Sequence, residues 1–235
     1  KLLPTVRREL KSPFAEIKDG FVYVATTPPI RALLLLLGLV SLAGTPYAVL
    51  MPVFASEYLG GDSGTLGFLM GCSGIGALTA ALALASRKHV FGLGKWVAAA
   101  CAGLGTFLIL FSFSRNVFMS AILLIPVGFS MMTEMAASNT LVQAMVPDEL
   151  RGRVMSVYSM MFMGLAPLGS LLAGTIAGII GPAQTVVMGG AVCILGAIVF
   201  ALHLPKIGLQ GREMIVAMQM SSGEPASKAI AQVPK

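Results

Sequence analysis

Long apolar runs separated by brief charged segments make up most of the chain. No charge falls between Arg31 and Glu57, between Asp62 and Arg87, or between Lys95 and Arg115. Each of these stretches can supply the roughly 20 apolar residues that a helix needs to cross a hydrocarbon core. A fourth run, from about Asn116 to Val146, contains one acid, Glu134. A fifth, Val154 to Leu202, has no charge and is too long for a single crossing. Gly181-Pro182 divides it, because proline suits the first turn of a helix and biases the residue before it away from helical geometry. The pattern predicts an all-α polytopic membrane bundle of six transmembrane helices, at about 31–57, 63–86, 96–114, 117–146, 154–180 and 183–204.

The flanks read differently. Ser12 can cap a helix with Pro13 at its first position, and Phe14, Ile17, Phe21 and Val24 then recur at helical spacing opposite Glu16, Lys18 and Asp19. Residues 1–30 are therefore expected to be a linker carrying an interfacial amphipathic helix. Residues 205–235 are expected to form a C-terminal tail, disordered from Ser221 onward, where no apolar periodicity remains.

Composition agrees with a lipid solvent: 56% of residues are hydrophobic and 11% charged, well outside the range of soluble domains. The net charge of +6 could indicate nucleic acid. Its distribution argues against that, since Lys and Arg sit in short segments between apolar runs with no basic stripe interleaved with aromatics. Placing the N-terminal segment in the cytoplasm and alternating from there puts Arg87, Lys88, Lys95, Arg151, Arg153 and the tail inside, and leaves only Arg115 outside. That is the positive-inside pattern of a multi-pass protein of the cell (inner) membrane with both termini cytoplasmic. Cys72, Cys101 and Cys193 lie singly within apolar runs, which fits packing residues and neither a disulfide framework nor a metal site. The first residues lack the h-region of a signal peptide, and the chain opens on Lys1 rather than Met, as though entered partway through a longer sequence.

Small residues recur every four positions: Gly67 and Gly71; Ser170, Gly174 and Gly178; Gly189, Cys193, Ala197 and Ala201. Such rows let helices approach closely in lipid and are expected to pack within the bundle.

Val146 to Val154 reads VPDELRGRV and leads into SVYSMMFMGLAPLGSLLAG. Pro147 stops one helix, and Asp148 and Glu149 stand where carboxylates favour the start of the next. This segment resembles the loop and following helix in the C-terminal half of major facilitator transporters, nearest the drug and siderophore (enterobactin-type) exporters. The preceding SNTLVQAM and the order of spans carry the likeness over most of the chain. The resemblance implies one half of a twelve-helix fold, an N-terminal six-helix half or a second copy as partner, and alternating access to a small-molecule substrate. It also implies a cytoplasmic gate at Asp148, Arg151, Gly152 and Arg153, against the plainer reading of a topology anchor. The other loop on that side, ASRKHVFGLGK, has the basic residues and glycines of a family gating loop but Ser86 near the place of its acid.

Glu134 is the one acid within a span. An ionised carboxylate at that depth costs on the order of 3 kcal/mol, so Glu134 should face a wet cavity, meet a partner or stay protonated. Ser130 and Ser138 flank it by one helical turn each way, making a polar stripe suited to proton coupling or to an interhelical hydrogen bond. Asn139 and Gln143, on other faces of this helix, are expected to bond between helices. Tyr47, between Pro46 and Pro52, sits where a bent helix can shape a cavity. Tyr58 and Trp96 read as interface anchors, and His89 and His203 as solvated or headgroup-contacting groups.

Three functions compete: a proton-coupled exporter of drug-like, siderophore-like or other amphiphilic molecules, a non-transporting packing subunit, and a rhomboid-like intramembrane protease. The last rests on Gly71-Cys72-Ser73-Gly74, which would need a histidine base near Ser73. No ATP-binding motif is present, so the expected energy source is a proton gradient, with no cofactor.

Overall fold

A computed structural model describes residues 13–87, 90 and 92–221, and every regular element among them is helical. The proposed cap at Ser12, the basic Lys88, His89 and the segment after Ser221 lie outside the described residues. A short helix, α1 (Pro13–Thr26), precedes six helices long and apolar enough to cross a membrane. These are α2 (Pro28–Tyr58), α3 (Ser63–Ala85), α4 (Leu93–Phe113), α5 (Val117–Met145), α6 (Asp148–Ile180) and α7 (Pro182–Ser221). The six-span bundle expected from the apolar pattern is present.

Local chemistry sets the turns. Asp62 accepts the backbone N–H of Thr65 at 2.9 Å while Thr65 Oγ1 accepts the N–H of Asp62, a reciprocal cap on α3. The Thr65 N–H and hydroxyl, both donating to the Asp62 carboxyl, hold it below its usual range. Asn116 caps α5 by accepting the N–H groups of Phe118 and Met119. Gly181 takes φ +93, a region that glycine tolerates, and Pro182 then opens α7.

Helix α5 is the hub, packed between α3 and α4, while α4 packs on α7 and α2 fills the space between α5, α6 and α7. Where α3 crosses α5, Gly76 lies against the carbonyl of Ile125 and Gly128 against that of Ser73, so a Cβ on either would overlap backbone. Gly105 and Gly190 do the same for α4 and α7, and beside them Cys101 Sγ donates to the Cys193 carbonyl at 3.2 Å. Lipid is as apolar as leucine, so close contact and hydrogen bonds of this kind hold membrane helices together.

Two features differ from the sequence reading. Of the small-residue rows, Gly189, Cys193 and Ala197 pack inside, but Gly67, Gly71, Gly174 and Gly178 have no atom within 4 Å of where a Cβ would stand and point away from the bundle. Periodicity marks a face without saying which neighbour meets it. The last helix also does not stop at Leu204; α7 continues through Pro205 to Ser221. Proline removes one helical hydrogen bond. Packing of the next turns compensates: Gly211 sits against Met145 and Pro29, and Ile215 is buried.

Helix α1 lies on the start of α6. Gly20 and Val24 face the bundle, while Ile17, Phe21 and Val22 are exposed, as suits a helix lying at a membrane surface.

Candidate functional site

Glu134 sits near the middle of α5 with only 1% of its surface exposed, and Ser130 and Ser138 are buried with it. Ser138 Oγ donates to Glu134 Oε1 at 3.3 Å. Ser130 lies against Gly103 of α4, where an added Cβ would come within 2.9 Å of its hydroxyl. The three residues that periodicity placed on one stripe are therefore all buried, with Ser130 meeting α4. No basic side chain among the described residues pairs with it. Beside it on the same helix, the Thr133 hydroxyl is buried without a hydrogen-bond partner among the described residues.

Glu134 is within electrostatic reach of Cys101 on α4 and Tyr158 on α6. Tyr158 donates its hydroxyl to the Met135 carbonyl at 2.8 Å, and the Asn139 side chain meets the same hydroxyl. Gln143 Nε2 in turn donates to Asn139 Oδ1. Asn139 and Gln143, each expected to bond between helices, bond to each other along their own helix. The result is a polar row running from exposed Gln143 to buried Tyr158 beside the carboxyl. Sequence reasoning did not single out Tyr158, which stands there only as one residue of SVYSMMFMGLAPLGSLLAG, with no spacing to tie it to Glu134.

Tyr47 is buried, and its hydroxyl lies 3.2 Å from Ser73 Oγ, linking α2 to α3. No hydrogen bond among the described residues joins it to Glu134. The surrounding helix is irregular, with wide π turns at Val40–Gly44 and Phe54–Tyr58 and another in α6 at Met160–Gly164. Ser41 Oγ donates to the Phe162 carbonyl, tying a wide turn of α2 to that of α6. Such turns are frequent at functional sites in helical proteins.

At the basic end of the bundle, Arg151 pairs with Asp148 at 2.7 Å within the first turn of α6, and both are largely exposed. Arg153 instead reaches Asp19 of α1 at 3.1 Å. Gly152 has open space around it, while Gly20 lies tightly against the Arg153 carbonyl. The four loop residues therefore split into a pair facing outward, a glycine in open space and an arginine that holds α1. Arg87 lies over the Trp96 ring at the same end, 4.8 Å from its centroid, and Arg115 over Tyr58 at the other, 4.7 Å away.

Ser73 meets Tyr47, and His203, the described histidine, contacts the Val199 carbonyl of its own helix. No group of three His, Cys, Asp or Glu side chains among the described residues could hold a metal ion. No curated protein and no solved structure matches the chain. One family model does, over residues 7–224, nearly the whole chain, and it is described as the transmembrane secretion effector family, MFS_3. That match answers the protease alternative: the six-span bundle is a transporter of major facilitator type, and the chain belongs to the transmembrane secretion effector family.

Proposed function

We propose that the chain is one six-helix half of a secondary exporter that uses a proton gradient to expel a small amphiphile by alternating access. Export, rather than import, is favoured by the family description, a secretion effector. The basic end of the bundle is taken as cytoplasmic because the cationic connectors gather there. On this reading residues 1–30 link the chain to a preceding six-helix half, and the end of α7 beyond Pro205 lies at the cytoplasmic face. A second half, a preceding six-helix segment or another copy, would meet the exposed apolar faces of α3 and α6, since two halves are needed to enclose a pathway.

The observation that carries the proposal is Glu134. A buried carboxyl with one serine donor and no cationic partner is costly to keep in a bundle that needs it only for packing. A proton carrier needs such a place: closed off in one state, reached by water in another. The polar row through Asn139 and Tyr158 marks the side from which access would come. Asp148 and Arg151, bonded to each other here, are free to exchange partners with the other half and serve as the cytoplasmic gate.

The test is Glu134→Gln in the full-length transporter, assayed with a panel of fluorescent lipophilic drugs. Glutamine keeps the size and can still accept from Ser138, but it cannot carry a proton. Efflux should fall at least tenfold with membrane abundance unchanged. Wild-type efflux by this variant would remove the coupling role and leave Glu134 as a structural residue of a packing subunit.

A further inference from the structure

A cavity of about 540 Å³ opens at the basic end of the bundle between α2, α4, α5 and α7, and neither Glu134 nor its serines line it. Its floor belongs to the core: Leu33, Leu141, Met145 and Phe200 are buried. Two cations on different helices, Lys95 in the first turn of α4 and Arg212 on α7, line the same space. Its wall also holds Ala201 and Pro205. Pro205 has no N–H to return to the Ala201 carbonyl, so the wall offers a backbone acceptor without its helical donor.

The cavity also reaches the lipid side. Leu209 lines it and is exposed, and Leu195, Leu202 and Leu209 stand seven residues apart, on one outward ridge of α7. A water-filled recess gains nothing from this apolar floor, and a purely apolar ligand gains nothing from two cations. An anionic amphiphile uses both.

We propose that this cavity binds an anionic phospholipid, with its phosphate between Lys95 and Arg212 and the first part of an acyl chain over Leu33, Leu141 and Phe200. The volume is that of an ordinary small-ligand site. Basic pockets between spanning helices at the cytoplasmic surface suit anionic headgroups, and the positive-inside pattern assigns this end to the cytoplasm. A headgroup bearing a hydroxyl can donate to the Ala201 carbonyl, which makes phosphatidylglycerol the probe of choice.

Native mass spectrometry of the full-length protein, titrated with phosphatidylglycerol, phosphatidylcholine and soluble glycerol phosphate, tests the proposal. Phosphatidylglycerol should be retained at least tenfold more tightly than phosphatidylcholine, and glycerol phosphate should not be retained. Lys95→Gln and Arg212→Gln should each weaken phosphatidylglycerol roughly fivefold, while Lys95→Arg keeps it. Gly208→Phe fills the space from a wall position with no atom within 4 Å of its Cβ, and should abolish binding without altering the elution profile. Equal retention of the two lipids, or unchanged phosphatidylglycerol binding in both Gly208→Phe and the Lys95→Gln/Arg212→Gln double variant, would overturn the lipid site. Glycerol phosphate binding as tightly as the lipid would also overturn it, assigning the cations to soluble anions.

Discussion

Helices α5 and α6 are equally apolar, yet 44% of the most apolar stretch is buried in α5 and 11% in α6. In water such a difference would show as amphipathicity, because an exposed face would have to be polar. In a bilayer both faces are apolar, and burial is decided by shape. Helix α5 is cut to fit its neighbours: Gly128 admits the backbone of α3, Ser130 meets Gly103 of α4, and Glu134 and Ser138 are buried with it. Helix α6 touches the bundle through few residues, chiefly Val154, Val157, Tyr158, Gly169 and Ala173, and turns Met163, Leu168, Leu171 and Gly174 outward. One helix builds the bundle and the other is available to whatever lies beside it.

The sharpest way to break this comparison is to add bulk to one glycine in each helix. Gly128→Leu drives a side chain into the Ser73 carbonyl, and overpacking against backbone costs at least the ~1–3 kcal/mol typical of a filled core. Most of the protein should lose its monodisperse peak in fluorescence-detected size exclusion. Gly174→Leu, with open space around it, should keep that peak. Equal losses would mean that α6 is as tightly fitted as α5.

Tyr158→Phe probes the main polar link between the two helices. It removes the hydroxyl that meets the Met135 carbonyl and Asn139, and should cost about 1 kcal/mol, read as a fall of a few degrees in thermal unfolding. An unchanged midpoint would show that the contact is incidental. Arg153→Gln should matter less to stability, because the pair with Asp19 is partly exposed and such pairs contribute about 0–1 kcal/mol. Its expected signature is faster proteolysis near Thr26 as α1 loosens from α6, with the wild type showing the same change at high salt.

The smallest effect belongs to the outer turn. The Asp62 carboxyl is held below its ordinary value of 3.8 by the Thr65 donors. Its contribution is therefore fully present above pH 3.8 and lost as pH falls through the depressed folded value. Asp62→Ala should lower the unfolding midpoint slightly at neutral pH and leave it less sensitive to acid. A variant whose acid profile matches the wild type would show that the cap carries no pH dependence.

Much of this architecture was legible from charge-free run lengths, since lipid demands whole helices and leaves little other choice. The stripe through Ser130, Glu134 and Ser138 was legible because the helical repeat is fixed. What it faced was not, because periodicity gives a direction on a helix and only the packing of α4 supplies the neighbour. Pro205 misled for a related reason: its local cost is certain, and the contacts of Gly211 and Ile215 that offset it are tertiary. The outward rows at Gly67 and Gly174 look in sequence like the inward row at Gly189, because lipid-facing and helix-facing positions share one composition.

The most direct measurement separates substrate movement from proton movement in proteoliposomes of the full-length transporter. Substrate exchange at equal pH on both sides needs the pathway alone, whereas accumulation driven by a pH gradient also needs the proton carrier. Glu134→Gln should exchange substrate at close to the wild-type rate and accumulate none above equilibrium. Gradient-driven accumulation by that variant, or loss of exchange together with accumulation, would contradict a proton-carrying role for the buried carboxyl.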